Sequence, residues 1–135
     1  MERPFSCIIP AHNEAKHIAG VLKVVESIHC IGEVICVDDG STDGTAEVIA
    51  ENFPSVRLVR MPSNCGKSAA VRRGCELVTR AYVVLLDADL RGLLSAEISG
   101  ACEFFLRHVV TDMIILRRMH APRRLKWSRI DTLLA

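Results

Sequence analysis

Two carboxylates one residue apart close an apolar run: Tyr82-Val83-Val84-Leu85-Leu86 leads straight into Asp87-Ala88-Asp89. Alternate residues of an extended chain point the same way, so Asp87 and Asp89 converge on one side of a strand end. Oxygen-only ligands of this kind suit Mg2+ or Mn2+, which keep waters and take a substrate's phosphates as further ligands. The plain reading is that both residues end a strand and cap the next turn, and a lone D-x-D does not separate the two. A second polar cluster, Asp38-Asp39-Gly40-Ser41-Thr42-Asp43-Gly44-Thr45, comes after Glu33-Val34-Ile35-Cys36-Val37. One such residue suffices to cap a helix, so the surplus points to a ligand, with Asp38 first outside the strand and able to accept from a base N–H. Asn13 and Glu14 stand at another helix start, placed either for the helix dipole or for a ribose or base. Lys67 opens a further helix, where the dipole disfavours a cation; either a nearby anion or simple exposure accounts for it.

These residues need a scaffold, and the apolar pattern supplies one. Residues 5–9 read as a strand, and residues 14 to about 30 carry Ile18, Val21, Leu22, Val25 and Ile28 at helical spacing. Residues 33–37 form a second strand, and a helix from about Asp43 turns Ala46, Ile49, Ala50 and Phe53 inward until Pro54 ends it. Residues 56–60 alternate as an edge strand should, and a third helix starts near Gly66. Residues 82–86 read as a strand apolar on both faces, Ile98, Ala101, Cys102, Phe105, Leu106 and Val109 as a helical stripe, and residues 112–116 as a fifth strand. Five strands alternating with four helices predict an α/β fold: a Rossmann-like three-layer sandwich whose parallel sheet carries helices on both faces. In such sheets ligands bind beyond the carboxyl ends of the strands, where the strand order reverses. The segments placed there are residues 10–14, 38–44, 61–67 and 87–89; three carry carboxylates and the other carries Lys67. That rim suits a nucleotide diphosphate with a divalent metal.

The chain has 135 residues, half of them hydrophobic and 24% charged, with a mean hydropathy of +0.25. This excludes a disordered chain and predicts one domain over residues 1–135. A net charge of +1 excludes a protein that coats nucleic acid. The balance is uneven, at −3 over residues 1–100 and +4 over residues 101–135. Residues 117–129 hold six Lys/Arg around Trp127. They read as a solvated face, with a peripheral contact to membrane headgroups or a phosphate as the open alternatives. The six cysteines contain no C-x-x-C and read as buried free thiols in a reducing compartment. With no signal-like start and no span-length apolar run, a cytoplasmic chain is expected, at most touching the inner membrane surface. Among five histidines without metal spacing, only His12 falls on the rim. Asn64-Cys65-Gly66-Lys67-Ser68 lacks the first glycine of a P-loop, because Met61 stands there, and no G-x-G-x-x-G opens the first helix.

Taken together, residues 8–14 (IIPAHNE), 37–45 (VDDGSTDGT), Asn64-x-Gly66-Lys67 and residues 86–90 (LDADL) resemble the family 2 glycosyltransferases of GT-A fold in wording, order and spacing. The resemblance covers about residues 5–116. It implies that Asp38 binds the base of a UDP- or GDP-sugar and that Pro10, Ala11 and Glu14 line the nucleoside pocket. Asn13, Asp39 and Ser41 would complete the donor site, with Lys67 or Arg91 adding charge against the diphosphate. Asp87 and Asp89 would hold the ribose and a Mg2+ or Mn2+ on the diphosphate, in a metal-dependent, inverting transfer to an acceptor that the resemblance does not name. Arg91 stands where the dolichyl-phosphate mannose synthase branch usually has a metal-assisting Gln; a guanidinium accepts no bond, which points away from that branch and its lipid acceptor. Family members continue well past this length, so the acceptor half and the general base are expected outside these residues, with an apolar edge left open to self-association. Two rivals stand beside this reading: a sugar nucleotidyltransferase, which would want a glycine-rich basic loop after the first strand, and a non-catalytic domain that binds nucleotide or packs on a partner.

Overall fold

The structure, a computed structural model, describes residues 2–108, 110–118 and 125–129. Its elements run β1 (Phe5–Ala11), α1 (Ile18–Glu26), β2 (Ile31–Asp38), α2 (Thr45–Asn52), β3 (Arg57–Arg60), α3 (Lys67–Cys75), β4 (Tyr82–Leu85), α4 (Ser95–Arg107), β5 (Ile114–Arg118) and β6 (Leu125–Arg129). The chain divides into two compact units, Met1–Leu93 and Leu94–Ala135.

The first unit is a four-stranded sheet in the order β3-β2-β1-β4. Every pairing is parallel, with Ala11 opposite Asp38 and Ile8 opposite Leu85. All seven residues of β1 are buried, as a central strand with both faces covered requires. α1 buries Ile18, Val21, Leu22 and Val25, each contributing about 1.5–3 kcal/mol through lost apolar surface. α1 packs on β2 and on α2, whereas α3 packs on β1 and β2. Right-handed crossovers that advance in one direction leave α1 and α2 on one face, and the reversal towards β4 sends α3 to the other.

α3 lies close on β1 because Gly74 lacks a side chain. A Cβ there would stand 2.6 Å from Cγ2 of Ile8, which is fully buried. Polar groups at the opposite end are also matched. Glu33 accepts from Ser6 Oγ and from the N–H and Oγ1 of Thr79, tying β2 to the segment before β4. Desolvation raises its carboxyl, but these bonds and Arg80 outweigh it and hold it below the ordinary range.

Three expectations need correction. Residues 82–86 have the composition of a strand covered on both faces, yet Tyr82, Val83 and Leu85 are 39%, 44% and 49% exposed. Among the described residues β4 pairs only with β1, and apolar composition does not itself supply a second neighbour. The pattern of residues 112–116 predicts a fifth parallel strand; β5 instead pairs antiparallel with β6 in a separate two-stranded sheet, Leu116 opposite Trp127. An antiparallel partner a few residues downstream closes a much shorter loop than a crossover into the parallel sheet. Finally, all six cysteines are free, but Cys65 and Cys75 are exposed; Cys7, Cys36 and Cys102 are the buried ones. Burial, with Asp38 nearby, pushes the Cys36 thiol up to about 12, and burial raises Cys7 further.

Gly74→Ala tests the close packing of α3. Alanine adds about 1 kcal/mol of helix propensity, while overpacking against Ile8 costs about 1–3 kcal/mol. Urea unfolding is expected to show a net loss of stability; a net gain would show that Ile8 yields freely.

Candidate functional site

The strand order places a crevice at one spot. The chain lays down β1, β2 and β3 in one direction, then α3 carries it back to β4 on the other flank of β1. Beyond the carboxyl ends of β1 and β4 lies a cavity of about 270 Å³. The end of β1 contributes Pro10, Ala11, His12 and Glu14, the loop after β2 contributes Asp39, α3 contributes Lys67 and Ala70, and Asp87, Ala88 and Asp89 come just after β4.

Much of the polar crowding that suggests a ligand holds these loops to one another. The N–H of Asp39 donates to the Ala11 carbonyl at 2.8 Å. Its two carboxylate oxygens accept from the N–H groups of Cys65 and Gly66, both at 2.8 Å. Asp39 thus locks the entry to α3, where Lys67 begins, onto the end of β2. His12 Nδ1 donates to the Asp39 carbonyl at 2.8 Å, which leaves Nε2 to accept from Asn64 and Asn13. This tautomer follows from the hydrogen-bond network. Asn13 adopts φ +52°, a left-handed conformation that asparagine tolerates. Its N–H donates to Ser41 Oγ and its Oδ1 accepts from the Thr42 N–H. Gly40, at φ +70°, lets the second loop touch the third, since a Cβ would fall 2.5 Å from the Asn64 nitrogen.

Thr45 and Asp43 complete the lock. The Glu14 N–H donates to Thr45 Oγ1, and Asp43 accepts from the N–H of Ala15 and from both donors of Thr45. Desolvation pushes the Asp43 carboxyl up, but these hydrogen bonds outweigh it and hold it below its ordinary range. Asp38 is buried, accepts from the Ser41 N–H at 3.2 Å and lies 3.8 Å from the Arg60 Nε. Of the residues singled out in the sequence, Pro10, Ala11, Glu14, Asp39, Lys67, Asp87 and Asp89 line the cavity, whereas Asn13, Asp38 and Ser41 do not. His12, Ala70 and Ala88 line it as well.

Charge within the cavity is unequally committed. Glu14 Oε2 accepts from His17 Nδ1 at 2.9 Å, and His17 Nε2 accepts from Arg91 at 2.8 Å. An arginine can only donate, so His17 is the Nδ1–H tautomer between them. Sequence reasoning misses His17; its place three residues after Glu14, where side chains meet at a helix start, is the available signal. The Asp87–Asp89 pair lies just past β4, with Ala88 and Asp89 in a turn rather than within the strand. Exposure still alternates, Leu86 and Ala88 buried and Asp87 and Asp89 exposed. Lys67 Nζ donates to Asp87 Oδ1. Among the described residues no group of three or more His, Cys, Asp or Glu side chains is placed to hold a metal ion. Two exposed carboxylates fit a hard divalent cation that draws its other ligands from water and phosphate.

The family model described as "Glycosyl transferase family 2" matches residues 6–92, a span that contains every residue lining the cavity. The chain belongs to glycosyltransferase family 2. Within the family, a dolichyl-phosphate beta-glucosyltransferase of Trichomonas vaginalis is 36% identical over 94 residues, 61% of this chain and 28% of that protein. A dolichyl-phosphate beta-glucosyltransferase of Dictyostelium discoideum is 34% identical over 98 residues, 62% of this chain and 30% of that protein. The chain thus spans about three tenths of the length of these curated relatives. Arg91, a departure from dolichyl-phosphate mannose synthases, does not separate this family 2 chain from relatives named for dolichyl phosphate. A mannosyltransferase from Pyrobaculum calidifontis, solved in complex with GDP-Man and Mn2+, superposes with a TM-score of 0.66 at 28% identity, over 76% of this chain and 32% of that one. Glucosyl-3-phosphoglycerate synthase from Mycobacterium tuberculosis, solved with Mn2+, UDP-glucose and phosphoglyceric acid, gives 0.63 at 27% identity, over 71% and 36%. The α/β fold is accordingly of the GT-A type. Among the described residues, no helix is long and apolar enough to cross a membrane.

Asp43 in the loop lock and Glu33 at the other end of the sheet give the fold a pH signature. Asp43 and Glu33 are both held below their ordinary values of 3.8 and 4.5. Their contribution is therefore fully present above those values and is lost as pH falls through the lower folded-state values. The urea midpoint is expected to be flat from pH 7 to 5 and to fall below about pH 4.5. Asp43→Asn and Glu33→Gln should each flatten that acid limb; an unchanged limb would remove the residue from the account.

Proposed function

We propose that this chain binds the nucleotide-sugar donor of a metal-dependent, inverting glycosyltransferase at the β1/β4 crevice. The observation that carries the reading is the convergence of Asp87, Asp89, Lys67 and Glu14 on one cavity at the point where the strand order reverses. Solved relatives with GDP-Man or UDP-glucose and Mn2+ support the ligand class. In this reading Asp87 and Asp89 would hold a Mg2+ or Mn2+, which would supply Lewis-acid charge neutralisation for the departing nucleoside diphosphate. Lys67 donates to a phosphate oxygen. Pro10, Ala11 and Glu14 form the nucleoside wall, with Glu14 held by His17 towards the ribose or base. Asp38, one residue beyond the lining, accepts from the base N–H, and Asn13, Asp39 and Ser41 hold the loops that shape the pocket.

The chain in this account is a donor-binding domain, and the acceptor site and general base are not assigned to any described residue. Catalysis by positioning requires both reactants in reacting geometry, which the donor pocket alone does not provide. Because the relatives are named for dolichyl phosphate, a lipid phosphate is the acceptor to test first. A cytoplasmic chain meeting the inner membrane surface through the basic residues 117–129 is consistent with such an acceptor.

Titration calorimetry with UDP- and GDP-sugars, with and without Mn2+, tests the reading. Binding is expected to strengthen with Mn2+, and Asp89→Asn should abolish that gain while leaving the fold intact. Asp38→Ala should weaken free UDP and UDP-sugar equally, by about 1.5–3 kcal/mol, the range for a charge-assisted hydrogen bond. A loss confined to the sugar nucleotide would move Asp38 to the sugar pocket, and no binding of either nucleotide class would remove the donor-site reading.

A further inference from the structure

The cavity is lined by four carboxylates, Glu14, Asp39, Asp87 and Asp89, and by one cation, Lys67. Two of the four are already engaged: Asp39 by the Cys65 and Gly66 N–H groups, Glu14 by His17. The other nearby cations are committed outside the lining, Arg91 on His17 and Arg60 beside Asp38 and Glu47. Among the described residues, Lys67 alone lies on one of the two exposed carboxylates of the lining, at Asp87 Oδ1. It opens α3 with no acidic residue in the first turn, so its charge opposes the helix dipole, and Asp87 is the anion it meets. Its side chain is 61% exposed and carries a point charge on a flexible stem, free to move between partners.

We propose that Lys67 is an exchangeable counter-ion for Asp87. It occupies the carboxylate until a nucleoside diphosphate draws it away, so that metal and diphosphate bind together and neither binds well alone. The inference rests on the donor-site reading and deepens it. A dication arriving at the empty cavity meets one free carboxylate, Asp89, and one already neutralised by an ammonium, with no third side-chain ligand among the described residues. A diphosphate arriving first meets Asp87 and Asp89 as like charges. When both arrive, Lys67 passes from Asp87 to a phosphate oxygen, Asp87 turns to the ion, and every charge gains a partner. By linkage, the diphosphate then raises metal affinity by the same factor as the metal raises diphosphate affinity. A device of this kind keeps the site from filling with free cation.

The test is Lys67→Gln in the 135-residue chain, with Mn2+ alone followed by electron paramagnetic resonance and UDP or GDP followed by calorimetry. The expected result has opposite signs. Mn2+ alone binds about two- to fivefold more tightly, the factor released with an exposed ion pair. Metal-free UDP binds about tenfold or more weakly, as loss of a charge-assisted contact requires. The coupling between the two shrinks by the factor gained for Mn2+. In an Asp87→Asn background the Lys67→Gln gain for Mn2+ should vanish, since the partner is gone. If wild type binds UDP with Mn2+ but Lys67→Gln leaves Mn2+ affinity unchanged or lower, the exchange is overturned and the donor site stands. An unchanged metal-free UDP affinity, or a Mn2+ gain that persists without Asp87, overturns it equally. Absence of any UDP or GDP binding removes the donor-site reading and the exchange with it.

Discussion

A chain that has laid β1, β2 and β3 side by side can reach the open edge of β1 only by carrying a helix back across the sheet. That single reversal governs most of the first unit. It makes β1 central and buried along its whole length, sends α3 to the face opposite α1 and α2, and requires Gly74 where α3 passes over Ile8. It also leaves a gap beyond the ends of β1 and β4 that no connection crosses. The cavity is that gap, and its chemistry comes from whichever residues come after the strands that flank it.

Those residues divide by how their charge is used. Asp39 gives both oxygens to backbone N–H groups and acts as a clamp that brings the start of α3 to the cavity. Asp43, Thr45, Ser41 and Asn13 interlock the loops after β1 and β2. Glu14 is held through His17 to Arg91, two residues past Asp89, so a chain of hydrogen bonds links both flanks of the crevice. Of the four carboxylates that line the cavity, Asp87 and Asp89 are the exposed ones, with Lys67 against one of them. A rigid frame of satisfied polar groups therefore presents a small number of free charges, as expected of a site that must bind a charged ligand without disorder in its walls.

The sequence is legible where local rules act. Helical stripes such as Ile18, Val21, Leu22 and Val25 report burial directly, and β3 is the edge strand expected, although its burial does not alternate: Leu58 and Val59 are both half-buried between exposed arginines. The rim is legible for a topological reason: once strands alternate with helices, the residues after each strand must gather at one end. Partner choice stays hidden. Tyr82, Val83 and Leu85 are apolar enough for a central strand, yet their exposure depends on whether another strand lies beside them. Residues 114–118 show β pattern but not direction, and Leu125-Lys126-Trp127-Ser128-Arg129 carries a period-two signal that its positive charge masks. At the site, residue type announces Asp38, Asp39 and Ser41 as polar and clustered; only coordinates separate a carboxylate turned to a backbone from one turned to a cavity.

The central claim is that the β1/β4 crevice holds a nucleoside diphosphate with a divalent ion at Asp87 and Asp89. Paramagnetic broadening of amide NMR signals by Mn2+ in the presence of UDP or GDP reads that position directly. The account predicts strong, saturable broadening at residues 87–90, 66–68 and 11–14, weakening along α2 away from Thr45 and weakest at the start of β2. Nucleotide-dependent broadening centred elsewhere in the chain would contradict it.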